Sequence, residues 1–345
     1  MKHIGRRCRS PAETRNPCLW RVAVVTRPRL TFWLNPTVIR VELAVNFAGS
    51  GESPLISDGG LATELEARGH DLSDPLWSAR LLADAPGEIV AVHAAYFRAG
   101  ADVATTASYQ ASFEGFAARG IDRREAAGLL RRSVELAKAA CDGAARDGLL
   151  VAASVGPYGA ALADGSEYRG RYGLSVAALT RWHRPRLEAL ASAGPDVLAL
   201  ETVPDIDEAE ALVNLVRSVD VPAWLSYTID GTQTRAGQPL ADAFAVAAGV
   251  DEIVAIGVNC CAPDDVLPAI RVADIGKPVI VYPNSGEVWD GRAWTGPRRF
   301  STQLATQWAE VGARIIGGCC RVGPADIAEV RRACNQREHF GVDSH

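Results

Sequence analysis

Long apolar runs are missing from this chain. No stretch reaches the roughly 18 consecutive apolar residues a transmembrane helix needs, so a spanning segment is excluded from the expectations and no membrane partner is expected. A secretory leader is missing too: the arginine-rich start has no clean apolar core followed by a cleavage site. Lysine is scarce, with three residues (Lys2, Lys138 and Lys277) among the 36 Lys and Arg, a bias consistent with GC-rich coding. The turn Asp58-Gly59-Gly60-Leu61-Ala62-Thr63 is not the G-x-G-x-x-G of a dinucleotide fold. No internal repeat and no interdomain linker interrupts the chain. The 345 residues, 48% hydrophobic and 22% charged, are ordinary globular composition, which excludes collagen-like and wholly disordered classes. A chain of this length can bury about three quarters of its unfolded surface without disulfides.

Charge divides the chain. Residues 1–50 carry nine Lys and Arg against Glu13 and Glu42, a net of +7. The other residues carry 27 Lys and Arg against 39 Asp and Glu, a net of −12, within the overall −5. Four prolines and two tryptophans without period mark 1–50 as an irregular, poorly ordered basic extension outside the functional fold. The acidic body argues against a nucleic-acid partner. The expected division is an extension over 1–50, one catalytic domain over 51–337 and a tail over 338–345.

From Ser53 onward, short apolar runs alternate with segments of helical period. Eight runs read as strands: Leu55–Ser57, Val103–Thr106, Leu149–Ser154, Val197–Leu200, Ala223–Thr228, Ile253–Val258, Pro278–Tyr282 and Arg314–Gly317. Between them, Asp122-x-x-Glu125 and Asp205-x-x-Glu208 read as capping boxes, and Pro86 opens a helix with Ile89, Val92, Tyr96 and Phe97 inward. Continuous apolar strands alternating with helices predict a covered parallel sheet, and eight of them predict a single (β/α)₈ barrel of the TIM type.

A barrel of this kind carries its chemistry at the C-terminal ends of its strands. Those ends read Asp58, Thr106, Ser154, Glu201, Tyr227, Asn259 with Cys260, Asn284, and Cys319 with Cys320. Three thiols from nearby strand ends can converge and leave the fourth tetrahedral position of zinc open, the arrangement of catalytic zinc sites. Soft sulfur favours zinc over magnesium or calcium. Two alternatives stay open at this point: the cysteines as small buried hydrophobes, or a vicinal disulfide between Cys319 and Cys320. Cys141 and Cys334 read as core residues, and His70 and His93 lie away from the strand ends. For Glu201 the bland alternative is an ion pair with an arginine; for Asp58 it is the N-cap of the next helix.

The segment Asp58-Gly-Gly-Leu-Ala-Thr-Glu-Leu-Glu-Ala-Arg-Gly69 resembles the first strand and turn of the homocysteine S-methyltransferase family. Thr105-Thr-Ala-Ser-Tyr-Gln-Ala-Ser112, Ser154-Val-Gly-Pro-Tyr-Gly-Ala160 and Glu201-Thr-Val-Pro204 resemble it further. So do Gly257-Val-Asn-Cys260, Tyr282-Pro-Asn-Ser-Gly-Glu287 and Gly317-Gly-Cys-Cys-Arg321. The match runs from about 54 to 334 and is most similar to the branch that uses S-methylmethionine, notably through Ala163-Asp-Gly-Ser-Glu-Tyr-Arg-Gly170. The resemblance implies a cytoplasmic zinc enzyme that makes methionine from homocysteine and a sulfonium donor, with betaine as the alternative donor. It implies zinc on Cys260, Cys319 and Cys320, and homocysteine contacts at Asp58, Gly59, Thr106 and Glu201. Tyr109, Tyr158 and Tyr227 are candidates for holding a cationic donor, and Asn259 and Asn284 complete the expected substrate lining. Cys261, a second thiol directly after the strand-six ligand, departs from the family pattern and leaves open which of the two binds metal. The chain is expected to be too short for folate and cobalamin modules. Two other readings are a zinc- or thiol-using barrel lyase, which the missing strand-end lysine and histidine pair disfavour, and a non-enzymatic zinc-buffering or thiol-sensing barrel.

Overall fold

A computed structural model describes residues 53–74, 76–289 and 294–340. The expected basic extension, its two cysteines and the last five residues lie outside these. Eight parallel strands form one sheet: β1 (Leu55–Ile56), β2 (Val103–Thr105), β3 (Leu150–Val155), β4 (Val197–Val203), β5 (Ala223–Tyr227), β6 (Ile253–Asn259), β7 (Val279–Tyr282) and β8 (Ala313–Ile316). The order runs β1-β8-β7-β6-β5-β4-β3-β2. A parallel bridge between Ser57 and Val103, with Asp58 N–H donating to Val103 O at 3.0 Å, joins the two ends into a barrel. Every predicted apolar run supplies one of these strands.

Eight principal helices follow the strands: α1 (Pro86–Ala99), α2 (Arg123–Asp142), α3 (Val176–Ala191), α4 (Ile206–Val216), α5 (Leu240–Ala245), α6 (Pro263–Val272), α7 (Thr302–Glu310) and α8 (Pro324–Phe340). The last helix continues past the boundary expected at 337. Among the described residues no helix is long and apolar enough to cross a membrane. Asp122 caps α2 as expected, accepting from Glu125 N–H at 2.8 Å. At α4 the outcome differs. Asp205 caps through Asp207 N–H at 3.2 Å, while Glu208 turns inward to His183 Nε2 at 2.8 Å. A fully buried acceptor gains more there than at an exposed cap.

Strand alternation sorts the side chains into two layers. Val103, Ala152, Val197, Ala199, Trp224, Ile280, Tyr282 and Ile315 fill the barrel interior. Leu198, Leu200, Leu225, Tyr227, Ile256, Val258, Val281 and Ile316 face outward and pack under the helices. Cys334 joins that outer core, Cys141 packs against it, and His93 is wholly buried in α1. Gly257, in register with Ile280, shows how tightly β6 and β7 lie: a Cβ there would run into the Ile280 carbonyl oxygen. Gly257→Ala must push the two strands apart and is expected to lose roughly 1–3 kcal/mol, the usual range for an overpacked core. Denaturant unfolding checks this, and an unchanged midpoint would contradict it.

Candidate active site

Cys260 follows β6 directly, and Cys319 and Cys320 follow β8 in the turn Gly317–Arg321. Their three sulfurs lie within 4.8 Å of one another, and Cys260 Sγ is 3.8 Å from Cys320 Sγ. With zinc–sulfur bonds of about 2.3 Å, a tetrahedral site has a sulfur–sulfur edge of about 3.8 Å, so the donor set fits such an ion. The six described cysteines are free thiols, which removes the vicinal disulfide.

Backbone hydrogen bonds hold the cluster. Gly317 N–H donates to Val281 O (2.9 Å), Gly318 N–H to Asp58 O (3.0 Å) and Cys319 N–H to Pro283 O (2.8 Å). Cys320 N–H donates to Asn284 Oδ1 at 3.0 Å, and Asn284 N–H to Cys261 O at 2.9 Å. Cys260 and Arg321 adopt left-handed backbone, with φ of 50° and 66°. Non-glycine residues rarely do so, and such strain concentrates at sites whose geometry the surroundings enforce. Gly60 lets the turn after β1 pass close to the pair: a Cβ there would lie 2.6 Å from Cys319 O.

Of the three thiols, Cys260 is the one whose ionisation the cluster favours. Hydrogen bonds from Cys319 and Cys320 hold its thiol well below the usual range, assisted by Tyr168 and Asn284, and those same bonds keep Cys319 and Cys320 protonated. Cys261 is different. Its thiol packs into the outer core and burial pushes it up, so the structure assigns it to packing and Cys260 to the cluster.

Two carboxylates face the same mouth. Asp58, 3% exposed, accepts from Thr105 N–H at 2.7 Å and Thr105 Oγ1 at 3.0 Å. It does not cap the next helix, whose cap position is Gly60. Glu201, 6% exposed, accepts from Ser154 Oγ. Burial raises both to about 7, and the charge of Glu201 adds to the rise at Asp58. No arginine pairs with Glu201 among the described residues. The buried Arg186 instead donates to Gly156 O at 2.7 Å, Ser108 O at 2.9 Å and Tyr109 O. It thereby fixes the loop that carries Tyr109, whose hydroxyl lies in the field of Glu167 and Cys260.

Four expected residues take other places. Tyr227 is corrected: its hydroxyl donates to Ala243 O at 2.7 Å and its ring packs on Phe244, because alternation turns Ser226 inward and Tyr227 out. Tyr158 packs edge-on against Tyr172 and Trp182, within an aromatic cluster at α3. The Thr106 hydroxyl accepts from Ser154 N–H at 3.0 Å and pairs with Ser108 Oγ at 2.8 Å, bracing β2 against β3, while Thr105 holds Asp58. Asn259 is wholly buried and acts as a brace. Its Oδ1 accepts from Thr202 N–H (2.7 Å) and Ser226 Oγ (2.9 Å), and its Nδ2 donates to Thr202 Oγ1 (2.7 Å). Thr202 has φ of 58°, costly for a β-branched residue, and directly follows Glu201. Asn259 therefore sets the carboxylate's position from below. Gly59 remains at the mouth, packed under Val322 and Tyr96.

Tyr168, Glu167, Thr105, Arg186 and Tyr282 do not emerge from the strand-end pattern, whereas Ser154 does and is found holding Glu201. Tyr282 sits inside the barrel, its hydroxyl accepting from Trp224 Nε1 at 3.0 Å and lying 2.6 Å from Ser226 Oγ.

The comparisons agree with this geometry. The family model described as homocysteine S-methyltransferase matches residues 55–334. The homocysteine S-methyltransferase of Escherichia coli (strain K12) is 48% identical over 291 residues, covering 80% of this chain and 94% of that protein. Homocysteine S-methyltransferase 1 of Arabidopsis thaliana is 43% identical over 305 residues, covering 82% and 94%. The metallated crystal form of the homocysteine methyltransferase MmuM from Escherichia coli superposes with a TM-score of 0.76 at 45% identity, covering 86% of this chain and 99% of that one. With a matching family model over the whole barrel and the cysteine cluster in place at its mouth, the chain belongs to the homocysteine S-methyltransferase family.

Proposed function

We propose that the chain transfers a methyl group from a sulfonium donor, S-methylmethionine first, to the thiolate of homocysteine, with zinc held by Cys260, Cys319 and Cys320. The convergence of these three thiols within 4.8 Å at the barrel mouth, beside two buried carboxylates, is the observation that carries it. Three unpaired thiols also suit a reducing compartment, and we place the reaction in the cytoplasm.

Cys260, Cys319 and Cys320 would hold the zinc, which would supply a lowered thiol pKa and so favour homocysteine as thiolate at neutral pH. A free thiol of pKa about 8.5 is only a few per cent thiolate at pH 7, so full ionisation is worth roughly 2 kcal/mol. Some of this is returned, since a less basic thiolate is a weaker nucleophile, with a Brønsted slope of about 0.4–0.5. Alignment contributes more, about 7–11 kcal/mol for well-oriented partners.

That alignment falls to the protein. Asp58 and Glu201 take the homocysteine ammonium by charge-assisted hydrogen bonds. Asn259 and Ser154 fix Glu201, and Thr105 fixes Asp58. Asn284 holds the Cys320 backbone in place. The Tyr109 ring faces the donor's cation. In the transfer, the bond from the homocysteine sulfur to the methyl carbon forms as the bond to the donor sulfur breaks. The departing pair neutralises the sulfonium, and S-methylmethionine leaves as a second methionine.

Methionine formation by the zinc-loaded protein, with S-methylmethionine, S-adenosylmethionine and betaine supplied in turn, tests the proposal. The highest kcat/KM is expected with S-methylmethionine. Turnover with betaine alone would overturn the donor assignment, and stoichiometric zinc without turnover would indicate a metal-buffering barrel.

A further inference from the structure

The segment Ala163–Gly170 stands outside the barrel strands, between β3 and α3. It is nevertheless built rigidly over the metal cluster. Asp164 Oδ1 accepts from Ser166 N–H at 3.0 Å, Gly170 N–H donates to Ser166 O at 3.0 Å, and Ser166 is 2% exposed. The turn rests on Gly159, where any Cβ would strike the Glu167 backbone. Beyond it, Arg171 N–H donates to Asp205 Oδ2 at 2.9 Å and the Arg171 side chain to Ala236 O. Tyr168 reaches inward to place its hydroxyl 3.0 Å from Cys260 Sγ, while Arg235 stacks on its ring at 5.8 Å.

Glu167, beside this tyrosine, has no ion-pair partner among the described residues. Its Oε2 is buried without a hydrogen bond. The Tyr109 hydroxyl is likewise buried, with Thr202 a polar neighbour, and the charges acting on it are those of Glu167, then Cys260, then Glu201. A carboxylate oxygen removed from water with no donor or cation is destabilising, so a fold that keeps one has a use for it. Two tyrosines adjoin it: Tyr109 lies in the field of this carboxylate, and Tyr168 carries its hydroxyl to Cys260. A lone carboxylate beside aromatic rings suits a soft cation better than an ammonium, which would demand several acceptors.

We propose that Glu167 determines donor specificity: its carboxylate, adjoined by Tyr109 and Tyr168, pairs with the positively charged sulfur of the methyl donor as it lies beside Cys260. This rests on the sulfonium reading above. The pairing has a direction. As the methyl group moves to the homocysteine sulfur, the donor sulfur receives the electron pair and becomes a neutral thioether. Glu167 therefore holds the donor more tightly than the transition state or the product, so its contribution falls on KM and on product release and does not accelerate the chemical step.

Steady-state kinetics of the zinc-loaded enzyme, varying each substrate separately, test this. Glu167→Gln should raise KM for S-methylmethionine roughly 10-fold or more, as expected for a lost ion pair in a partly buried site. It should leave KM for homocysteine and bound zinc unchanged and kcat equal or higher. Glu167→Asp, which keeps the charge, should recover part of the donor affinity. An unchanged donor KM in Glu167→Gln with an active wild type would overturn this role alone. Equal losses of donor affinity in the Asp and Gln variants would also overturn it, since packing and not charge would then be at work. A wild type inactive with every sulfonium would overturn the donor reading and this role together.

Discussion

Cys319→Ala is expected to lose bound zinc and methyl transfer together. The side chain supplies one of three sulfurs within 4.8 Å of each other, and Cys260 and Cys320 alone leave two ligands where a catalytic zinc site uses three. Without metal, homocysteine returns to a few per cent thiolate, and the alignment that depends on a fixed sulfur goes with it. Loss of even half the alignment contribution amounts to roughly 400-fold to 10⁴-fold in kcat/KM. Cys261→Ala is the matched control. That thiol is 1% exposed, packs into the outer core and is not among the three converging sulfurs, so its removal should lower stability by about 1 kcal/mol and leave zinc content intact. Metal analysis on both variants, with methionine formation measured on the same samples, separates the two cysteines. A zinc-free, fully active Cys319→Ala would sink the metal assignment, and a zinc-free Cys261→Ala would move the ligand by one position.

The strand-end pattern made part of this legible and hid the rest for identifiable reasons. Eight apolar runs of strand length gave the barrel because a parallel strand covered on both faces has to be continuously apolar. Cys260, Cys319 and Cys320 stood out because thiols from different strands converge only once the barrel is closed. Tyr227 shows the limit of that logic. It ends a strand, but residues alternate across the sheet, and Trp224 facing in puts Ser226 in and Tyr227 out. Asn259 shares the inward parity of Tyr282 and lies below the mouth, where it braces Thr202 instead of meeting substrate. Glu167, Tyr168 and Arg186 escaped because they stand on a loop and a helix, outside any strand-end rule. The sole mark of Glu167 and Tyr168 in the sequence was the Asp-Gly-Ser-Glu-Tyr-Arg-Gly run of residues 164–170, which a periodicity argument reads as an ordinary turn, and Arg186 had none.

Glu201→Gln is expected to make the protein more stable at alkaline pH while crippling homocysteine binding. Burial raises Asp58 and Glu201 to about 7, from the usual carboxylate values near 4. The ligand-free folded chain therefore keeps protons that the unfolded chain releases. Between about pH 4 and pH 7 the unfolded state binds fewer protons, so stability falls as pH rises through that window and levels off above it. A carboxyl that titrates one pH unit higher in the folded chain than in the unfolded one costs about 1.4 kcal/mol of stability once both are ionised. A neutral amide at 201 keeps the hydrogen bond from Ser154 without the charge, so the variant should have the higher Tm at pH 8 and lose that advantage near pH 4. Binding runs the other way. The homocysteine ammonium supplies the missing cation and is best met by ionised carboxylates, so wild-type KM for homocysteine should fall as pH rises toward 7 and flatten beyond it. Glu201→Gln removes one charge-assisted hydrogen bond, worth roughly 1.5–3 kcal/mol, which is a 10- to 100-fold increase in KM. Asp58→Asn should do the same through the other carboxylate, and with either variant the pH dependence of KM should shrink. Thermal unfolding and homocysteine KM, each measured from pH 5 to 8.5 on wild type and both variants, decide the matter. A Glu201→Gln protein with unchanged KM would show that the carboxylate is a structural element of the barrel. One that is less stable than wild type at pH 8 would show that the charge is already compensated in the free protein. The combination of higher stability and lost binding is expected because the site holds two charges in readiness for a third, and a fold that does so is less stable until the substrate arrives.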